Sequence, residues 1–150
     1  MKTTRLILPL LLLAAASCLA TFAQAAEQAG IKGILLSASN EPGETDRRLA
    51  PYEPTLRRIL RFESYRYLGE GSASLNVPEK GELSLGDGHR LELETENSDG
   101  KAIHVRVRWV AGGRTLMNTS LVLRPGVPAV LGGPSTGNKS EVFAVILIGR

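Results

Sequence analysis

The chain has a single cysteine, Cys18, among 150 residues, so it cannot close a disulfide within itself. It has two histidines, His89 and His104, too few for a histidine-rich metal centre. Aromatic residues make up 5% of the chain, with one tryptophan. The apolar run Leu6–Ala16 is shorter than the ~20 residues a membrane-spanning helix needs. No G-x-S-x-G elbow occurs, and no serine lies in a nucleophile signature. No repeat, low-complexity tract or long linker interrupts the chain. These absences leave no catalytic residue, metal ligand or cofactor to name, although a calcium site made of carboxylates alone is not decided by the sequence. Glycoside-cleaving carboxylate pairs are not decided by the sequence. Glu92, Glu94 and Glu96 share one strand face, the ordinary pattern of a solvated face.

The first 25 residues read as an export signal. Lys2 and Arg5 form a basic start, Leu6–Ala16 is apolar, and Ala23-Gln24-Ala25 is an A-x-A cleavage pattern. The expected working chain is residues 26–150, one domain, periplasmic or secreted. Ala15-Ala16-Ser17-Cys18 offers a second reading as a lipobox with a lipid anchor on Cys18, although the usual leucine three residues before the cysteine is missing. Of the 18 basic residues, Lys2 and Arg5 leave with the leader, so 16 remain against 15 acidic ones. That balance carries no general footprint for nucleic acid, which needs clustered positive excess. Asn118-Thr119-Ser120 and Asn138-Lys139-Ser140 match the glycosylation sequon, which matters only in a eukaryotic secretory route.

The fold class expected is α+β, mainly β. A buried strand, Ile31–Ser39, is followed by a turn-rich loop and a helix over Pro51–Phe62. In that helix both prolines fall among the first four residues, where no backbone bond is lost. Leu56, Ile59 and Leu60 form its apolar stripe, with Leu49 or Tyr52 below. From Ser64 the period becomes two. Strands are predicted over Ser64–Leu68, Ser72–Val77, Gly81–Leu85, His89–Glu96, Ala102–Val110, Thr115–Leu123, Val127–Leu131 and Glu141–Ile148, an antiparallel sandwich-like body of about seven strands. Asp87-Gly88 and Ala111-Gly112-Gly113-Arg114 read as turns. A three-residue loop, Ser98-Asp99-Gly100, would set Thr95 opposite Ile103, Leu93 opposite Val105, Leu91 opposite Val107, Glu94 opposite His104 and Glu92 opposite Arg106.

The stretch LGGPSTGNKS, Leu131–Ser140, approaches the phosphate-binding loop G-x-x-x-x-G-K-[ST]. Asn138 displaces Lys139 by one place, and the β-branched run that follows forms no helix to receive an anion. It reads as a Gly-Gly-Pro turn, with Pro134 ending one strand, followed by a polar loop.

The dense segment is RRLAPYEPTLRRILRFESYRY, Arg47–Tyr67, with six arginines and three tyrosines opposed by Glu53 and Glu63. Arginine and aromatic side chains dominate protein contact hot spots. The candidate partner-binding residues are Arg57, Arg58, Arg61, Tyr65, Arg66 and Tyr67, facing a protein or an anionic or carbohydrate polymer. Alternation sets Tyr65 and Tyr67 on one face and Arg66 on the other. The bland alternative is a solvated helix face with a tyrosine packed on the sheet. The expected function is a non-catalytic exported binding module. A second reading is a structural accessory of an envelope or secretion assembly that joins by strand addition; the apolar Glu141–Ile148 is either central in the sheet or an edge completed by another chain. A hydrolase is the third.

The run ILLSASNEPGETDRRLAPYEPTLRRILRFESYRYLGEGSASL, with the later VLGGP, resembles small exported bacterial proteins of no assigned activity. The resemblance implies export and one compact domain, and no cofactor or catalytic residue.

Overall fold

The computed structural model describes residues 27–150. The export signal and the Cys18 lipobox lie outside these residues. Strand β1 (Gln28–Ser39) explains the apolar density of the N-terminal run, because both its faces are covered. Ile31 and Leu35 point into one cluster, while Ile34, Leu36 and Ala38 point into another. The last strand, β8 (Glu141–Gly149), divides in the same way, with Val145 and Leu147 on one side and Ala144 and Ile146 on the other. β8 pairs antiparallel with β1. Two adjacent strands buried on both faces require a layer on each side.

One layer is a short helical segment. A 3-10 turn, Arg47–Tyr52, leads into helix α1 (Glu53–Ile59). Asp46 starts the turn, its carboxylate accepting the Arg48 amide at 3.0 Å. Pro54 lies in the first turn of α1 and removes no needed bond, whereas Pro51, expected as the first helical residue, is the fifth residue of the 3-10 turn, which goes without a bond from its nitrogen. The helix ends three residues before the predicted Phe62, because Arg61 adopts a left-handed backbone (φ 57°) and the Phe62 amide donates to the Tyr65 hydroxyl at 3.1 Å. Leu49 and Leu56 are fully buried, and Leu60 and Tyr52 pack partly. Ile59, expected in the stripe, is 47% exposed. Starting the helical winding at Arg47 as a tighter 3-10 turn rotates Ile59 outward.

The other layer is a second sheet. The first sheet has the order β2-β1-β8-β7 and the second β3-β4-β5-β6, antiparallel throughout. The strands are β2 (Ser64–Asn76), β3 (Glu79–Gly86), β4 (His89–Asp99), β5 (Ala102–Ala111), β6 (Arg114–Leu123) and β7 (Ala129–Ser135). The architecture is therefore mainly β, a two-sheet sandwich with one short helical layer outside the first sheet. Between the sheets pack Leu83, Leu85, Leu91, Leu93, Val105, Val107 and Trp109, against Ile31, Leu35, Val145 and Leu147. No helix among the described residues is long and apolar enough to cross a membrane.

Three local expectations are corrected. The predicted strands Ser64–Leu68 and Ser72–Val77 are one strand, β2. Gly69 and Gly71 looked like a break but mark a close approach. A Cβ on Gly69 would sit 2.0 Å from the Leu85 carbonyl oxygen, and one on Gly71 2.0 Å from that of Ser84. β2 and β3 cross there at the corner of the sandwich. The Gly132-Gly133-Pro134 run is not a turn either, because β7 continues through it to Ser135. A Cβ on Gly133 would lie 2.5 Å from the Trp109 indole, so the glycine is the seat of the tryptophan. Pro134 is tolerated because β7 is an edge strand.

The β4–β5 register is shifted by two residues from the expectation. Leu91 faces Trp109, Leu93 faces Val107 and Thr95 faces Val105. The turn is the two-residue Gly100-Lys101 between Asp99 and Ala102, with an irregularity at Glu96. A slip of two leaves every side chain on its face, so alternation alone could not detect it. The turns at Asp87-Gly88 and Gly112-Gly113 stand as expected, with positive φ at all four residues, the geometry of tight hairpins.

Candidate functional site

Five of the six arginines of the Arg47–Tyr67 segment do different things, and the structure does not bring the predicted contact residues into one patch. Arg57 is committed internally. Its Nε donates to Glu53 Oε1 at 2.9 Å, and its Nη2 to the Glu63 carbonyl at 3.0 Å. It also lies over the Tyr65 ring, 5.7 Å from the centroid. Arg57 thus fastens the chain leaving α1.

Tyr65 is 1% exposed, with its hydroxyl holding the Phe62 amide. Burial pushes its phenol pKa up from 10.0, since a phenolate would lose its water. Tyr65 is therefore removed from the proposed contact surface. The alternation that placed Tyr65 and Tyr67 on one face is present, but the helical layer covers that face. Tyr67 is half-buried beneath Arg48, whose guanidinium lies 4.0 Å from the ring centroid. Arg48 also forks onto Asp46, with Nε to Oδ1 at 3.2 Å and Nη2 to Oδ2 at 2.9 Å. These bonds from Arg48, side chain and backbone, hold the Asp46 carboxyl at about 2. Sequence reading assigned no role to Arg48. The available signal was Asp46 directly before a helical start, where an acceptor is favoured.

Arg66 points to the other face of β2 and is 71% exposed, its Nη2 3.8 Å from Glu141 Oε1. Arg58 and Arg61 remain. Both are exposed, neither forms an ion pair with a described residue, and exposed Ile59 lies between them in the chain.

The outer face of the second sheet carries charge but compensates it. Arg106 pairs with Glu96 at 2.9 Å and Glu94 at 3.9 Å, Arg90 with Glu92 at 3.3 Å, and Arg108 with Glu92. Acid does meet base there, although Glu92 faces Arg108 and Glu94 faces Arg106. His104 faces Asn97 and Val122, not Glu94. His89 lies opposite Ala111, two residues beyond Trp109, which the expected register set against it. It is 6% exposed, and its Nδ1 accepts from the Trp109 Nε1–H at 3.0 Å. Burial depresses its pKa below 6.5. No group of three histidine, cysteine, aspartate or glutamate side chains among the described residues could share a metal. After Thr136–Ser140 the chain enters β8, so no helix N-terminus faces the glycine-rich stretch.

Comparison of the chain with protein-family models, curated proteins and solved structures gave no significant match.

Proposed function

We propose that this protein is an exported, non-catalytic binding module whose partner contacts the C-terminal end of α1. The observation that carries this reading is the outward trio Arg58, Ile59 and Arg61. Two cations without an ion-pair partner among the described residues flank an aliphatic side chain that is 47% exposed. Arg61 occupies a left-handed backbone position that would suit glycine better, by roughly 1–2 kcal/mol. Leu49, Leu56 and Arg57 anchor the segment from below, so the contact side chains stand on a fixed base. Arginine beside an apolar anchor is the composition of a contact hot spot, and it suits a partner with an acidic surface, protein or polymer.

A photo-crosslinking residue at position 59 tests this directly. It should trap a partner in the envelope fraction, whereas the same group at exposed Val122 on the second sheet should not. Equal trapping from both positions contradicts the reading.

A second reading is the accessory that joins by strand addition. β8 cannot be the joining strand, because β1 and β7 already flank it. The edge that favours this reading is β6, which has no proline and no charge after Arg114. A clean monomer in light scattering across concentrations ends it.

A further inference from the structure

A second site lies at the far end of the first sheet, independent of the helix end. At this end three neighbouring strands, β2, β1 and β8, bring polar side chains together on one face. The register sets Ser64, Ser39 and Glu141 side by side, then Arg66, Ser37 and Phe143 in the next row. The loop from Asn40 to Asp46 walls this face into a cleft of about 460 Å³. The loop is fastened, not loose. Asn40 donates to the Ser140 carbonyl at 3.0 Å and Asp46 to that of Tyr65 at 3.0 Å. The Ser39 hydroxyl accepts the Glu41 amide at 3.0 Å, and the Ser64 hydroxyl donates to the Glu41 carbonyl at 3.1 Å.

What the fold leaves unused there is specific. Ser37 is 3% exposed and lines the cleft, yet its hydroxyl makes no hydrogen bond to a described residue. The buried Thr45 Oγ1, on the facing wall, has no partner either. A buried hydroxyl such as that of Thr45 is nearly always bonded, and leaving it unbonded costs stability. Above Ser37, Arg66 and Glu141 reach toward each other from β2 and β8 but stop at 3.8 Å, too long for a good charged hydrogen bond.

We propose that this cleft binds a free α-amino acid, its ammonium on Glu141 and the Ser37 hydroxyl and its carboxylate on Arg66. The ligand would replace one long ion pair by two short charge-assisted contacts and give the Ser37 hydroxyl a partner. A sugar is disfavoured, because the aromatic side chain among the lining residues, Tyr65, is 1% exposed and offers no ring face. The mouth selects among amino acids. Glu41 and Glu44 line it without ion-pair partners among the described residues and outnumber Arg47, the unpaired cation among the lining residues, while the Asp46 charge is met by Arg48, so a cationic side chain is preferred.

The test is a residue-resolved NMR titration of the protein with L-lysine, Nα-acetyl-L-lysine, L-lysinamide and L-glutamate. L-lysine should give saturable shifts at the amides of Ser37, Ser39, Arg66 and Glu141. Blocking either the ammonium or the carboxylate should weaken binding by about 10-fold or more, as should Ser37→Ala and Arg66→Gln. Absence of saturable shifts at those amides, shifts confined to the outer face of the second sheet, or unchanged affinity of the blocked ligands would overturn the assignment. Equal or tighter binding of L-glutamate would overturn the role given to Glu41 and Glu44. The ligand arms need no variant, so the outcome does not depend on Arg66→Gln or Ser37→Ala folding.

Discussion

His89 shows how much one side chain can be committed by its neighbours. Its ring lies 4.6 Å from that of Phe143, and its Nδ1 receives the Trp109 indole N–H. An imidazolium could not accept that bond, and burial disfavours the charge. The nearby Asp87 acts in the opposite direction but more weakly. The folded-state pKa is therefore below the unfolded value of 6.5. A depressed histidine pKa means that the unfolded chain binds the proton more readily. The contribution is fully present above pH 6.5 and is lost as pH falls through the folded-state pKa. Urea unfolding at about pH 7.5 and about pH 5 should show a loss of stability in the native protein. In His89→Gln, which keeps an acceptor for Trp109 but does not titrate, that loss should be smaller. Equal pH dependence in the two proteins contradicts the assignment. The expected register set His89 opposite Trp109; the observed one sets it opposite Ala111, and the indole N–H reaches the imidazole across that offset.

At the scale of elements, the glycines carry the lesson. Period-two alternation from Ser64 onward was enough to place most strands, and the apolar runs Ile31–Ser39 and Glu141–Ile148 were enough to mark strands buried on both faces. The distinction between a glycine that turns the chain and one that lets another backbone or ring approach was not legible, since the residue type is the same in both roles and the approaching group is distant in sequence. Gly112-Gly113 turns, while Gly69, Gly71 and Gly133 admit such an approach. The same degeneracy misplaced the β4–β5 register, because a shift of two preserves every face. The consequence is testable. Gly71→Ala should cost more than about 3 kcal/mol or prevent folding, since the obstacle is the Ser84 backbone rather than a side chain that can move. Gly132→Ala, whose new Cβ meets only Leu60 at 3.4 Å, should cost about 1 kcal/mol or less. Chemical denaturation of the two variants checks this, and similar losses would contradict the close-packed corner.

Across the whole molecule, charge separates scaffold from candidate surface. The glutamates and arginines of β4 and β5 answer one another, Arg48 answers Asp46, and Arg57 answers Glu53. Of the six arginines and tyrosines that the sequence nominated as a contact surface, only Arg58 and Arg61 stand free on the outside of the helical layer. Of the two tyrosines, Tyr65 packs inward under the helix and Tyr67 is half-buried beneath Arg48, a matter of which face gets covered that local pattern cannot decide. The measurement that tests the account most directly is partner capture by the Arg58→Glu/Arg61→Glu double variant, with its melting temperature recorded alongside. The account predicts an unchanged or slightly altered melting temperature and a loss of capture of about 10-fold or more. Undiminished capture by a well-folded double variant would contradict it.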